Sequence, residues 1–246
     1  MPIGSLVSFI HKNTWAEYTV VPKDELFILP ADFPVEKAVQ FALNPVTAWG
    51  LLQTANLNPG DFLLLSAGNS VVAKLITRFA ILRHINVIAV VRDAAAAASL
   101  KIDGISVVDI NEVNFVDRVL SLTNGKGANC ALDPVGGTTG TRLMECLGLN
   151  GKLIIYGKLS PEPAQLYYPV IQYKNLTVSA FGVRGYIQGL TKTQRLEMVE
   201  SLVRITGDPK FKMEIKGEFD ITEYPDAIKA ASAGTKDGKA IFVFNK

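Results

Sequence analysis

The residues with the most legible chemistry form one short turn. Phe62-Leu63-Leu64-Leu65 is an apolar run of strand length. It leads into Ser66-Ala67-Gly68-Asn69-Ser70-Val71-Val72-Ala73 and then into a helical pattern. A strand, a turn of small residues and a helix N-terminus together make an anion site. Small side chains let the backbone approach a phosphate, and the first helical N–H groups have no intrahelical partner. A dinucleotide pyrophosphate is the ligand such a unit takes when it opens a doubly wound sheet. Here the usual glycine pattern is reduced to Gly68, with Ala67, Asn69, Ser70 and Ala73 as small substitutes. A purely structural βα turn is the competing reading. The second strand, Val87 to Val91, runs into Arg92-Asp93. A residue at that place faces the adenosine ribose, where an acid selects NAD and an arginine suits a 2′-phosphate. Arg92 therefore points to NADPH, and Asp93 beside it is the counter-argument, a carboxylate for a ribose hydroxyl.

Other reactive side chains are sparse. Tyr156 and Tyr186 are candidate proton donors, with local packing as the alternative. Cys130 falls in a strand and Cys146 in a helix, so both read as core residues. His11 and His84 have no ligand-spaced partners, and two cysteines cannot build a four-ligand zinc site, so no metal is expected. No G-x-S-x-G elbow or Cys/His nucleophile pair appears. Trp15 and Trp49 read as packing residues.

The elements that would position the turn alternate regularly. After the first strand comes a helix from about Ser70 to Arg83, with Val72, Ile76, Phe79, Ala80 and Leu82 at helical spacing. Val87–Val91 is the second strand, Ala94 to Leu100 a short helix with a low-complexity loop as the alternative, and Ser106–Val108 the third strand. Phe115–Leu122 is a helix with Phe115, Val116, Val119 and Leu122 on one side. Asn129–Leu132 is the fourth strand, Thr138–Leu147 a helix stopped by the turn residues near Gly148 and Asn150-Gly151, Lys152–Tyr156 the fifth strand and Asn175–Phe181 the sixth. Strands that are apolar on both faces and alternate with helices imply a parallel sheet covered on each side, an α/β fold. The chain ends read differently. Leu6–Phe9, Trp15–Val21, Met213–Phe219 and Ala240–Phe244 look like strands of a second, smaller domain.

Composition narrows the function classes. In 246 residues, 48% are hydrophobic and 20% charged, a globular balance. The 25 basic and 23 acidic residues leave a formal charge of +2, which argues against nucleic acid or a membrane surface as partner. No apolar run approaches the roughly 20 residues of a spanning helix. The first residues lack a signal-peptide pattern. Together with the low cysteine content, this leads us to expect a cytoplasmic location.

Several segments in order resemble the zinc-free branch of the medium-chain dehydrogenase/reductase superfamily, above all its 2-enoyl thioester reductases and quinone oxidoreductases. They are Thr14-Trp15-Ala16-Glu17-Tyr18, Asn44-Pro45-Val46-Thr47-Ala48 and Ala67 to Lys74. They continue with Val90-Val91-Arg92-Asp93, Leu132-Asp133-Pro134-Val135-Gly136-Gly137, Gly151 to Gly157 and Asp237-Gly238-Lys239. The resemblance implies a Rossmann-type doubly wound parallel sheet with a partial GroES-like β domain. Residues 1–43 would be the remainder of that domain, 44–183 the NADP-binding domain, and 184–246 a helix and strands completing both. It implies NADPH held by Gly68 and the backbone of Asn69, Ser70, Val71 and Val72, with Arg92 at the 2′-phosphate. Asn44 and Thr47 would line the nicotinamide end. Val135, Tyr156 with Gly157, and Phe181 with Gly182 would end strands on the cofactor side, and Lys239 would stand near the cofactor.

The implied reaction is hydride transfer to an activated C=C bond of a small molecule (an enoyl thioester, enone or quinone) by a homodimer. Departures accompany the likeness. Relatives are longer at the N-terminus, so Met1 is expected to follow the segment in which enoyl reductases carry their catalytic tyrosine, and no catalytic residue is assigned. Val71 and Ala73 replace usual glycines, and Ala94 stands where a second arginine is common. The alternative function is an NADPH-binding module impaired in catalysis.

Overall fold

The computed structural model describes residues 1–100, 102, 104–234 and 237–244. The chain divides into two compact units, one built from residues 48–188 and the other from 1–47 together with 189–246.

The central unit holds a six-stranded, all-parallel sheet. Its strands are β3 (Phe62–Leu65), β4 (Asn86–Val91), β5 (Ser106–Asp109), β6 (Ala128–Asp133), β7 (Leu147–Ile155) and β8 (Thr177–Ala180). They lie in the order β5-β4-β3-β6-β7-β8. Counted within the sheet this is the doubly wound 3-2-1-4-5-6 arrangement, and its order reverses between β3 and β6. The strand cores are apolar because both faces are covered. Leu63, Leu64 and Leu65 are buried, as are Val87 to Val91 and Cys130 to Leu132. The helices α3 (Val71–Ile81), α5 (Phe115–Leu122) and α6 (Gly137–Glu145) supply apolar faces through Leu75, Ile76 and Phe79, Phe115 and Val119, and Leu143 and Met144. Shorter helices α4 (Ala94–Ser99), α7 (Tyr168–Lys174) and α8 (Val183–Gly189) follow β4, β7 and β8. The α/β expectation and the alternation of elements therefore hold.

Two local expectations fail. Leu82, counted in the helical pattern from about Ser70 to Arg83, is exposed, because the helix ends at Ile81 and Leu82 is its C-cap. Leu147 to Asn150 is strand rather than helix end and turn. Leu147 pairs with Ala128 across a register shift, and Asn150 accommodates the backbone by taking a φ of 59°. A side chain at Gly148 would collide with the Lys126 carbonyl, so the turn-like residues here serve a close strand approach.

The end unit contains β1 (Val7–Ser8) antiparallel to β2 (Phe27–Ile28), and β9 (Ile215–Phe219) parallel to β10 (Lys239–Phe242). It also contains α1 (Val35–Phe41), the first turn of α2 (Asn44–Ala55), α9 (Lys192–Gly207) and α10 (Tyr224–Ser232). Phe27, Phe33 and Phe41 pack edge to face or tilted at its core. Trp15 to Val21, read as a strand, forms none. No strand ladder among the described residues includes it, and Tyr18 and Val20 stand exposed while Trp15 packs edge-on against Phe242.

Candidate functional site

In a doubly wound sheet, ligands bind outside the carboxyl ends of the strands where the order reverses. That point lies between Ser66, after β3, and Asp133, the last residue of β6. At such a reversal the connections from the two strands leave to opposite faces of the sheet, which is what makes a crevice there.

After Ser66 the chain turns sharply. Ala67 takes a φ of 48°. Gly68 donates its N–H to Val90 O at 2.9 Å. A β-carbon at Gly68 would lie 2.8 Å from Ala89 Cβ and 3.2 Å from Val90 N, so the surviving glycine is required by the close approach to β4. Ser70 caps α3 by accepting the Ala73 N–H on Oγ at 3.2 Å. The N–H groups of Val71 and Val72, the first two residues of α3, have no intrahelical acceptor. The first turn of α3 carries no acidic residue. Its dipole and free donors thus favour an anion unopposed.

At the end of β4, Arg92 is exposed, and its carbonyl accepts from Asn111 Nδ2 at 2.5 Å. Asp93 Oδ1 accepts the Ala96 N–H at 2.7 Å and so caps α4. Of the adjacent pair, the acid is engaged in a helix cap and the guanidinium is turned to solvent.

The β6 end is built around Asp133, which is fully buried. Its Oδ1 accepts from Ser66 Oγ at 2.5 Å and from Val135 N at 2.8 Å, and its Oδ2 accepts from Gly136 N at 3.0 Å. Gly136 follows with a φ of 75° and caps α6. The next loop is laced to this one. Tyr156 N–H donates to Asp133 O, Leu159 N–H to Pro134 O and Ser160 N–H to Val135 O. Gly157 is needed there, since a β-carbon would sit 2.9 Å from Pro134 O. Burial, and secondarily the Asp133 charge, push the Tyr156 hydroxyl well above the usual phenol range, so it stays protonated.

Phe181, after β8, donates its N–H to Ile155 O and stacks tilted on Tyr186 at 5.5 Å. Both rings cover Gly50 of α2. Burial raises the Tyr186 hydroxyl, opposed by the Arg83 charge and a hydrogen bond with Trp49. Trp49 packs against Phe79 beneath the Arg83 guanidinium. Gly182 is exposed with open space around it.

The structure thus brings Gly68, Asn69, Ser70, Val71, Val72, Arg92, Val135, Tyr156, Gly157, Phe181 and Gly182 to the carboxyl ends of one sheet. Asn44, Thr47 and Lys239 belong to the end unit. Asn44 is buried and Thr47 half-buried in the first turn of α2, and Lys239 opens β10 with its ammonium pKa lowered by burial. Cys130 and Cys146 are buried thiols, each pushed up to about 12 by desolvation. Among the described residues, no three His, Cys, Asp or Glu side chains are grouped to hold a metal ion. The Ser66–Asp133 contact is the feature that sequence reading missed. Its one signal is an acid that ends an apolar strand next to Pro-Val-Gly-Gly.

Comparison with known proteins agrees with this geometry. Residues 72–202 match the family model described as zinc-binding dehydrogenase. A mitochondrial enoyl-[acyl-carrier-protein] reductase of Dictyostelium discoideum is 27% identical over 220 residues, covering 85% of this chain and 63% of the relative. A quinone oxidoreductase-like protein 2 homolog of Nematostella vectensis is 29% identical over 230 residues, covering 92% and 62%. The chain therefore spans about six-tenths of the length of these curated relatives. A crystal structure described as an NADPH:quinone reductase of Bacillus thuringiensis superposes with a TM-score of 0.83 at 25% identity, covering 94% of this chain and 71% of that one. The doubly wound sheet, the capped βα turn and these matches together show that the chain belongs to the zinc-binding dehydrogenase family, in the zinc-free branch of the medium-chain dehydrogenase/reductase superfamily.

Proposed function

We propose that the central unit binds NADPH across the β3/β6 switch point, and that the chain reduces an activated C=C bond or a quinone. The observation that carries this reading is the Arg92–Asp93 pair. The exposed guanidinium suits a 2′-phosphate, while Asp93 is held in the α4 cap, away from the role that would favour NADH. The residues of the site fit the cofactor. The acid-free first turn of α3 offers Val71 and Val72 N–H groups to the pyrophosphate. Ser70 holds that turn by its cap. Asp133, the buried carboxylate beside the crevice, faces three donors rather than the anion.

When bound, the nicotinamide supplies a hydride. The protein's part is to orient cofactor and substrate and to stabilise developing negative charge. Tyr156, kept protonated, is the donor the site offers to a substrate oxygen. The relatives named as an enoyl reductase and quinone reductases support a small electrophilic alkene or quinone as substrate.

The test is a fluorescence titration with NADPH and NADH on the wild type and Arg92→Ala, followed by turnover with an enal, a quinone and an enoyl thioester. A charge-assisted hydrogen bond contributes about 1.5–3 kcal/mol, so the variant should lose roughly ten- to a hundredfold in NADPH affinity and little for NADH. Equal losses, or a wild type preferring NADH, reject the cofactor assignment. Binding without turnover on any substrate would favour a binding module. We further propose a homodimer formed through β8, which is an edge of the sheet with Thr177, Ser179 and Ala180 exposed. Light scattering should give about twice the 26.6 kDa chain mass, and a single-chain mass at all concentrations rejects this.

A further inference from the structure

We infer that Asp133 is a positioning residue that couples the two ligand loops of the switch point through Ser66. This inference rests on the NADPH reading for its ligand, and on geometry alone for the coupling. The backbone ladder between β3 and β6 runs from Leu63↔Cys130 to Leu65↔Leu132. Ser66 N–H then donates to Leu132 O at 3.2 Å. One step further, where the connections from the two strands diverge, the ladder is continued by side chains, with Ser66 Oγ on Asp133 Oδ1 at 2.5 Å.

The residue after Ser66 is Ala67, where the α3 turn begins in the left-handed region. The residues after Asp133 are Pro134, Val135 and Gly136. The same carboxylate binds the N–H groups of the last two. One buried group therefore fixes the start of one loop and the path of the other.

The surroundings are shaped for this charge. Gly140 has no side chain where a β-carbon would lie 2.9 Å from Asp133 Oδ2. The carboxylate also sits at the N-terminus of α6, whose first turn has no acid. A buried carboxylate held by neutral donors and a helix end is costly to perturb, and it keeps its donors in one geometry.

Two consequences separate positioning from plain structural support. In ligand-free protein, Ser66→Ala removes a group from the β3 side only. It should nevertheless speed hydrogen exchange at the Val135 and Gly136 amides, which donate to Asp133 rather than to Ser66. In the presence of cofactor, Ser66→Ala and Asp133→Asn should each weaken NADPH binding on the order of tenfold, the loss expected when one bond to a charged group goes. Asn keeps an oxygen for Ser66 or Val135 but presents an NH2 where Gly136 needs an acceptor. The double variant should bind no more weakly than Asp133→Asn alone, because the two residues act as one device.

Unchanged exchange at Val135 and Gly136 in Ser66→Ala overturns the coupling, whatever the wild type binds. So does unchanged NADPH affinity accompanied only by a lower melting temperature. A wild type that binds no NADPH overturns the functional reading instead, and leaves the exchange experiment to decide the coupling. If Asp133→Asn fails to fold, Ser66→Ala carries both measurements.

Discussion

Gly68 lies against Ala89 so closely that a β-carbon on one would meet the β-carbon of the other at 2.8 Å. This contact sets how near the α3 turn comes to β4. Gly68→Ala should cost about 1–3 kcal/mol in chemical denaturation, the range for overpacking a filled site. Adding Ala89→Gly should recover only part of it, because the Ala89 Cα and Val90 N remain 3.2 Å away. Full recovery, or a neutral single variant, would show that the turn can lift from the strand without loss.

Which features the sequence made legible follows from how far apart the interacting residues are. Leu63 to Leu65 and Val87 to Val91 announce buried strands, because burial on both faces demands unbroken apolar runs. Arg92 is legible as a candidate because its place at a strand end can be read from the apolar run before it. The Ser66–Asp133 bond is not, since it joins residues 67 apart that only the strand order brings together. Trp15 to Val21 failed for a related reason. Aromatic and β-branched content reports a preference for extended backbone, and pairing depends on which strand lies beside it. Leu147 to Asn150 failed because Gly148 and Asn150 read as turn residues. Here they allow a backbone approach and a positive φ inside a strand.

The rings over Gly50 give a different balance. A β-carbon there would lie 2.7 Å from Phe181 Cζ and 2.8 Å from Tyr186 Cδ1. Alanine gains about 0.8–1 kcal/mol of helix propensity over glycine. The contact atoms are ring edges rather than backbone, yet Tyr186 is also held by Trp49. Gly50→Ala should therefore be destabilising by about 1 kcal/mol net. Gly50→Ala added to the Phe181→Ala/Tyr186→Ala pair should be more stable than that pair alone, as propensity then acts without either ring to clash with. Measured melting curves of the wild type, Gly50→Ala, the ring pair and the triple variant decide it, and a triple variant less stable than the ring pair would contradict the steric account.

In the end unit, Lys37 is a buried lysine whose Nζ donates to Thr206 O and Asp208 O, each at 2.8 Å. It satisfies carbonyls at the C-terminus of α9, where the helix dipole also favours a cation. Lys37→Met keeps the apolar stem and removes the donors. The stranded buried acceptor should cost about 1–3 kcal/mol. Urea denaturation with unchanged m-value is the check. A loss below about 0.5 kcal/mol, within the scatter of ordinary surface changes, would mean that solvent replaces the ammonium.

The two thiols predict how stability responds to alkali. Desolvation raises Cys130 and Cys146 from an ordinary value of 9.0 to about 12 in the folded protein. Between those values the unfolded chain has released the thiol protons while the native state retains them. The unfolded state then binds fewer protons, so the unfolding free energy falls as pH rises. The thiol contribution is thus fully present below the ordinary thiol value of 9.0 and is lost progressively above it. Other groups titrate in the same range, so the informative quantity is a difference. The slope of stability against pH from 8.5 to 10.5 should be steeper for the wild type than for Cys130→Ala and Cys146→Ala, and shallowest for the double variant. Native protein at pH 8 should also resist a thiol reagent that labels both cysteines once urea unfolds it. Rapid labelling of either thiol in the native state, or parallel slopes across the four proteins, would show that these thiols ionise without unfolding.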